Sequence, residues 1–327
     1  MGLRKKIKAT IDFYLNEQNA NQQVADNLRA KYYTDLNCPE NPNRQVIMMI
    51  DGRIIHGGMA DRLRGCVSIF SLCKKTKTEL KINFTYPFNL SDYLVPNKYD
   101  WKISDDEICY NSSYCEPVKA NSSGAYFAKG KIKKLLISEF KDPKYAQTHL
   151  YSNFRYDERN YPALFDELFK PSKELLLAIE QNKAHLGENY YSATFRFQQL
   201  LGDFKEDDIY KTLSKQEQNT LINKCLDRLK SHIKTLPKGY KLLVTSDSIT
   251  FLEHAKTLEN TYVIPGEIAH MNHTSEQKNI FLKSFIDLYL LKDSKKIALF
   301  RTGEMYNSGF PRFASKIGYG KFKSIKF

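Results

Sequence analysis

At 327 residues the chain exceeds what a single hydrophobic core usually supports, so two domains are expected. Apolar residues make up 42% of it, with 20 Phe and 21 Tyr, and glycine and proline are few, which excludes extended disorder. The formal charge of +13 suggests an anionic partner, a nucleotide phosphate or an acidic membrane surface; with no RNP-type aromatic motif, zinc-finger spacing or compact basic recognition helix, no nucleic-acid partner is expected.

Residues 3 to 33 read as a helix with Ile7, Ile11, Tyr14 and Leu15 on one side and a cationic start. Such a helix either packs on the fold or docks weakly on an anionic membrane. The opening MGLRKKIKATIDFYL has no continuous apolar run or small-residue cleavage site, and no stretch nears the roughly 20 apolar residues that span a bilayer. The expected placement is therefore cytoplasmic, with at most weak, salt-sensitive peripheral contact at the inner face of the membrane. The cysteines Cys38, Cys66, Cys73, Cys109, Cys115 and Cys225 lack zinc-site spacing and read as reduced thiols, although Cys109 and Cys115 lie close enough in sequence to bridge.

RQVIMMID reads as a buried strand, IIHGGMADRLRGCVSIFSLCKK as a glycine turn running into a helix, and KTELKINF as a second strand. DEICYN, KKLLISEF and THLYSNF read as further strands, and PSKELLLAIEQNKAHL as a helix bridging to a second unit. From Asn189 the alternation sharpens. YYSATFRF, GYKLLVTSD, NTYVIPG and KKIALFRT read as strands, each followed by a helical stretch, the last being SGFPRFASKIG. Strands alternating with helices imply parallel sheets with right-handed crossovers, whose ligands bind beyond the carboxyl ends of the strands.

Four polar clusters fall at such ends. Gly57 and Gly58 permit a tight turn, and the helix that follows would offer free N–H groups to an anion; alternatively this is a plain turn with Asp61 capping the helix. Arg196, among apolar neighbours at a strand end, needs an anion, either a diphosphate or an internal carboxylate such as Asp203. Asp247 and Ser248 sit between strand and helix, where one caps the helix and the carboxylate could also accept from a base or ribose. Ser308 and Gly309 open the last helix, with Arg312 one turn on, an arrangement that either binds phosphate or simply caps. No paired-aspartate metal motif stands at a strand end; Asp105–Asp106 and Asp207–Asp208 read as solvated acids.

Taken together, GGMADRLRG, SATFRF, VTSDS and MYNSGFPRFA, over roughly residues 46 to 317, resemble the fucosyltransferase superfamily. The resemblance implies an α/β, GT-B-like architecture of two Rossmann-like domains facing a central cleft. Residues 1–170 would form an acceptor-side domain with the glycine-rich loop, and residues 171–327 a nucleotide-sugar-binding domain. It implies an inverting, metal-independent transfer from GDP-fucose to a glycan hydroxyl, with no cofactor. By the same resemblance Gly57, Gly58 and Arg62 face the donor, Arg196 holds its diphosphate, and Asp247 with Ser248 approaches guanine or ribose. Ser308, Gly309 and Arg312 would lie near the β-phosphate, and His270 in PGEIAH would line the cleft. Asp61 is the candidate base for the acceptor hydroxyl. Thr194 stands where the superfamily usually has His, and Phe197, Gln198 and Gln199 follow without a second basic residue. That departure keeps open another nucleotide sugar as donor, or a non-catalytic nucleotide-sugar or glycan-binding protein.

Overall fold

The computed structural model describes residues 3–34, 38–39, 42–121, 126–203, 211–268 and 280–327, the side chains of 3–10, 12–14 and 126–129 excepted. The chain divides into two compact units, Met1–Lys170 and Pro171–Phe327.

The first unit runs α1 (Leu3–Tyr32), β1 (Gln45–Ile50), α2 (Met59–Thr76), β2 (Glu79–Phe84), β3 (Leu94–Pro96), β4 (Cys115–Lys119), α3 (Tyr126–Lys141), β5 (Gln147–Tyr151), α4 (Tyr161–Leu168) and β6 (Phe169–Pro171). Its main sheet is parallel in the order β2-β1-β5-β4; β3 and β6 form a separate two-stranded ribbon. β1 is buried along its whole length, as befits a central parallel strand covered on both faces. Ile47, Met49, Cys115 and Tyr151 meet Leu28 of α1 on one face. On the other, α2 lies so close that a Cβ on Gly65 would sit 2.4 Å from the Ser152 carbonyl oxygen and 2.9 Å from Met48. Only glycine permits that approach.

The second unit runs α5 (Lys173–Leu186), β7 (Tyr190–Phe195), α6 (Lys215–Ile233), β8 (Lys241–Ser246), α7 (Ile249–Ala255), β9 (Thr261–Tyr262), α8 (Leu282–Asp293), β10 (Lys296–Arg301), α9 (Phe310–Ile317) and β11 (Lys321–Lys326). All five strands are parallel, in the order β11-β10-β7-β8-β9. Ala193, Phe195, Val244 and Phe300 point toward α6 and α7, while the alternate residue Tyr190 turns the other way and donates to the Leu290 carbonyl of α8. The sheet is therefore doubly covered. Ser214 and Glu217 form a capping box that opens α6, and Ser172 caps α5.

Three expectations change. KKLLISEF belongs to α3, not to a strand: its buried residues Ile132, Leu136 and Phe140 recur every fourth position, one helical face. DEICYN starts as a 3₁₀ turn at Asp105–Glu107, where Ser104 and Glu107 satisfy each other's backbone. Cys38 and Cys109 form a disulfide across 71 residues, so the six cysteines are not all reduced and Cys109 does not pair with Cys115. The remaining four are buried thiols, and desolvation pushes Cys66, Cys115 and Cys225 up to about 12, which leaves them poorly nucleophilic.

Candidate functional site

In the second unit the carboxyl ends of β7 and β8 lie side by side, with Phe195 paired to Ser246. The next residue on each side of that register carries the chemistry. Arg196 Nη1 meets Asp247 Oδ2 at 2.9 Å. The same carboxylate accepts from the backbone N–H of Phe197 at 2.8 Å and of Gln198 at 2.7 Å. Gln198 has a left-handed φ of 53°, so Asp247 holds a tight turn as well as the guanidinium. Burial drives Asp247 upward from the ordinary carboxylate range, and Arg196 with the two N–H donors opposes that shift. Among the described residues Arg196 thus pairs with Asp247, where the sequence pointed to Asp203. Asp203 instead accepts from Ser248 Oγ at 2.5 Å and from the Thr250 backbone N–H at 3.2 Å.

Ser248 Oγ also accepts from Phe251 N at 3.0 Å, which makes it the cap of α7. The β10–α9 loop is tied to the same place, since Tyr306 N–H donates to the Arg196 carbonyl at 3.1 Å. Beyond it Ser308 is buried and accepts from Phe310 N–H at 3.3 Å, with Gly309 as the cap of α9. Arg312 lies over the Phe322 ring at 5.2 Å, a packing position on β11. Thr194, standing where the resemblance leads one to look for His, hydrogen-bonds Thr245 across the strands at 2.8 Å. His270 lies outside the described residues.

In the first unit, Gly57 adopts φ 76° and Gly58, at φ −72°, is the N-cap of α2. Asp61 does not cap the helix: it is a first-turn residue whose carboxylate pairs with Arg64 at 2.5 Å, because the chain reaches helical geometry at Met59. Arg62 is buried, its Nε donating to the Gly57 carbonyl at 2.8 Å and its Nη1 to the Tyr86 carbonyl at 2.6 Å. Desolvation brings it down to about 10. Arg62 therefore fixes the glycine loop to the end of β2.

Sequence reasoning passed over a second set of residues on this loop. Arg53 pairs with Asp51 at 3.4 Å and is clamped between the rings of Tyr110 at 4.1 Å and Tyr32 at 4.6 Å. Asp51 also accepts from Tyr151 OH at 3.0 Å, and His56 stacks on the Tyr151 ring at 5.9 Å. The available signal was a histidine between a buried strand and a glycine pair. Among the described residues no group of three or more His, Cys, Asp or Glu is arranged to hold a metal ion.

No family model and no curated protein matches the sequence. Solved structures do match in shape. The α-1,6-fucosyltransferase NodZ soaked with GDP-fucose aligns at a TM-score of 0.51 and 13% identity, over 84% of this chain and 93% of that one. Selenomethionine NodZ from Bradyrhizobium gives 0.53 at 13% identity, covering 85% and 93%. A point mutant of Arabidopsis thaliana FUT1 in complex with GDP gives 0.54 at 12% identity, covering 97% and 78%. The fold is that of the GT-B fucosyltransferases. At this identity the likeness concerns architecture, and the site residues must be argued from their own geometry.

Proposed function

We propose that the chain is an inverting, metal-independent glycosyltransferase that moves fucose from GDP-fucose to a glycan hydroxyl. The observation that carries this reading is Arg196, anchored by the buried Asp247 at the carboxyl end of a parallel sheet, in a fold shared with fucosyltransferases. Attack by the acceptor oxygen on the anomeric carbon forms the new glycosidic bond as the bond to the β-phosphate oxygen breaks. GDP departs with the electron pair, and the hydroxyl proton passes to a base. Arg196 faces the charge that grows on the diphosphate, and Ser308 with the first turn of α9 adds donors. In this scheme Gly57, Gly58 and Arg62 shape the loop, Asp247 positions Arg196 and Ser248 orders α7. Asp61 is the candidate proton acceptor and takes that role only on release from Arg64.

A second reading, a non-catalytic nucleotide-sugar or glycan-binding protein, draws on Thr194, whose hydroxyl is engaged with Thr245. Thermal-shift screening against GDP-, UDP-, CMP- and dTDP-sugars identifies the donor, since a ligand at 100 times its Kd adds about 2.7 kcal/mol. Incubation with the selected donor and a glycan panel then decides: transfer or donor hydrolysis in EDTA supports the enzyme, and saturable binding without turnover supports the alternative. Activity lost to EDTA and restored by manganese would overturn metal independence.

No helix among the described residues is long and apolar enough to cross a membrane. Peripheral contact with an anionic membrane surface is proposed through α1, where Ile11 and Leu15 are exposed. Its test is salt-sensitive binding to anionic vesicles, lost on Ile11→Ser with Leu15→Ser.

A further inference from the structure

At the carboxyl end of the first unit's sheet, two polar side chains have no partner among the described residues. Lys119, the last residue of β4, pairs in register with Tyr151 of β5, whose ring carries His56. His56 is 3% exposed, and neither Nδ1 nor Nε2 has a hydrogen-bond partner. A neutral imidazole carries one donor and one acceptor, and leaving both unmet in a buried place costs roughly 1–3 kcal/mol for each group.

Lys119, half-buried, stands close enough to act on that ring. Its ammonium is largely desolvated, which brings it down to about 8, and no carboxylate among the described residues offsets that burial. Lys119 and Arg62 both act electrostatically on His56, and with desolvation they hold it down to about 3, so the ring is neutral and the local field positive.

We propose that Lys119 and His56 form a subsite for an anionic group, a carboxylate or a phosphate, carried by the acceptor saccharide. This rests on the transferase reading for the word acceptor; the anion site itself rests on the first unit alone. Lys119 supplies the charge as a compact ammonium, and His56 supplies a neutral donor on the Tyr151 side. The acceptor class is thus an acidic glycan.

The test titrates the full chain with glucuronate, glucose 6-phosphate and glucose by calorimetry, and in parallel with GDP. At least one acidic sugar is expected to bind saturably and at least ten-fold more tightly than glucose, and which of the two does so identifies the anion. Lys119→Met should erase that preference while leaving the GDP affinity unchanged, and Lys119→Arg should keep it, which guards against a folding artefact in the Met variant. Equal affinity for glucose and the acidic sugars, or a preference that survives Lys119→Met, overturns the subsite. If GDP fails to bind the wild type while the anion preference stands, the transferase reading fails and the subsite remains. If GDP binds and the sugars are not discriminated, the subsite fails alone.

Discussion

Arg196 is 24% exposed and is held through one terminal nitrogen by Asp247, so the side chain is fixed in place before any ligand arrives. Lysine at this position keeps the charge and can still reach the carboxylate, but it loses the planar fork that matches a diphosphate. Arg196→Lys is therefore expected to cost about 1 kcal/mol of stability, one hydrogen bond's worth. Turnover should fall roughly 100- to 1,000-fold, the equivalent of about 2.7 to 4 kcal/mol. Measuring melting temperature and turnover on one preparation decides it; a destabilised variant whose folded fraction is fully active would remove the site. The histidines give a second expectation. His56 and His149 are both held down to about 3 by burial, below the ordinary 6.5. Between those limits the unfolded chain binds more protons than the folded one, so stability is full above pH 6.5 and falls as pH drops through the window. Each imidazole contributes a slope of about 1.4 kcal/mol per pH unit. Unfolding free energies at pH 7.5 and 5.5 should show that loss, and His56→Gln should flatten the slope by one proton.

Elements were legible in proportion to how local their determinants are. In the second unit β7, β8 and β10 are short apolar runs closed by a turn or cap, and the alternation survives folding; NTYVIPG contributes only the two residues of β9, and the lysine-rich edge strand β11 carries no apolar run to announce it. In the first unit KKLLISEF misleads because Leu135 and Leu136 stand together like a strand interior. In the helix Leu136 is buried while Leu135 is exposed. The glycine loop makes the contrast testable. A Cβ at Gly58 meets nothing within 4 Å at an ordinary φ, whereas one at Gly65 would lie 2.4 Å from the Ser152 carbonyl oxygen. Gly58→Ala should change stability by about 0.5 kcal/mol or less. Gly65→Ala must push α2 away from the sheet and should cost about 1 to 3 kcal/mol. Chemical denaturation of the two variants checks this, and equal midpoints would show that α2 does not pack on the sheet through Gly65.

For the molecule as a whole, the Cys38–Cys109 bridge closes a loop of 71 residues, which stabilises by about 4 kcal/mol on chain-entropy grounds. Alkylation after denaturation should label four cysteines without reductant and six with it, read by mass spectrometry. Six labelled cysteines in both samples would restore the reduced-thiol reading and the cytoplasmic placement that goes with it. Four would favour an oxidising compartment. The sequence by itself determined the two-unit α/β plan, because strand and helix periodicities and the turn residues between them are local properties of neighbouring side chains. It also brought Arg196, Asp247 and Ser308 forward, as polar residues at the ends of apolar runs. What only the tertiary structure decided is which group answers which: Asp247 for Arg196, Cys38 for Cys109, Gly57 and Tyr86 carbonyls for Arg62. It also decided that His56, stacked on Tyr151, would be left without a hydrogen-bond partner among the described residues. Pairing of this kind is set by strand order and register, which bring together residues tens of positions apart, and no local pattern in the chain encodes that adjacency.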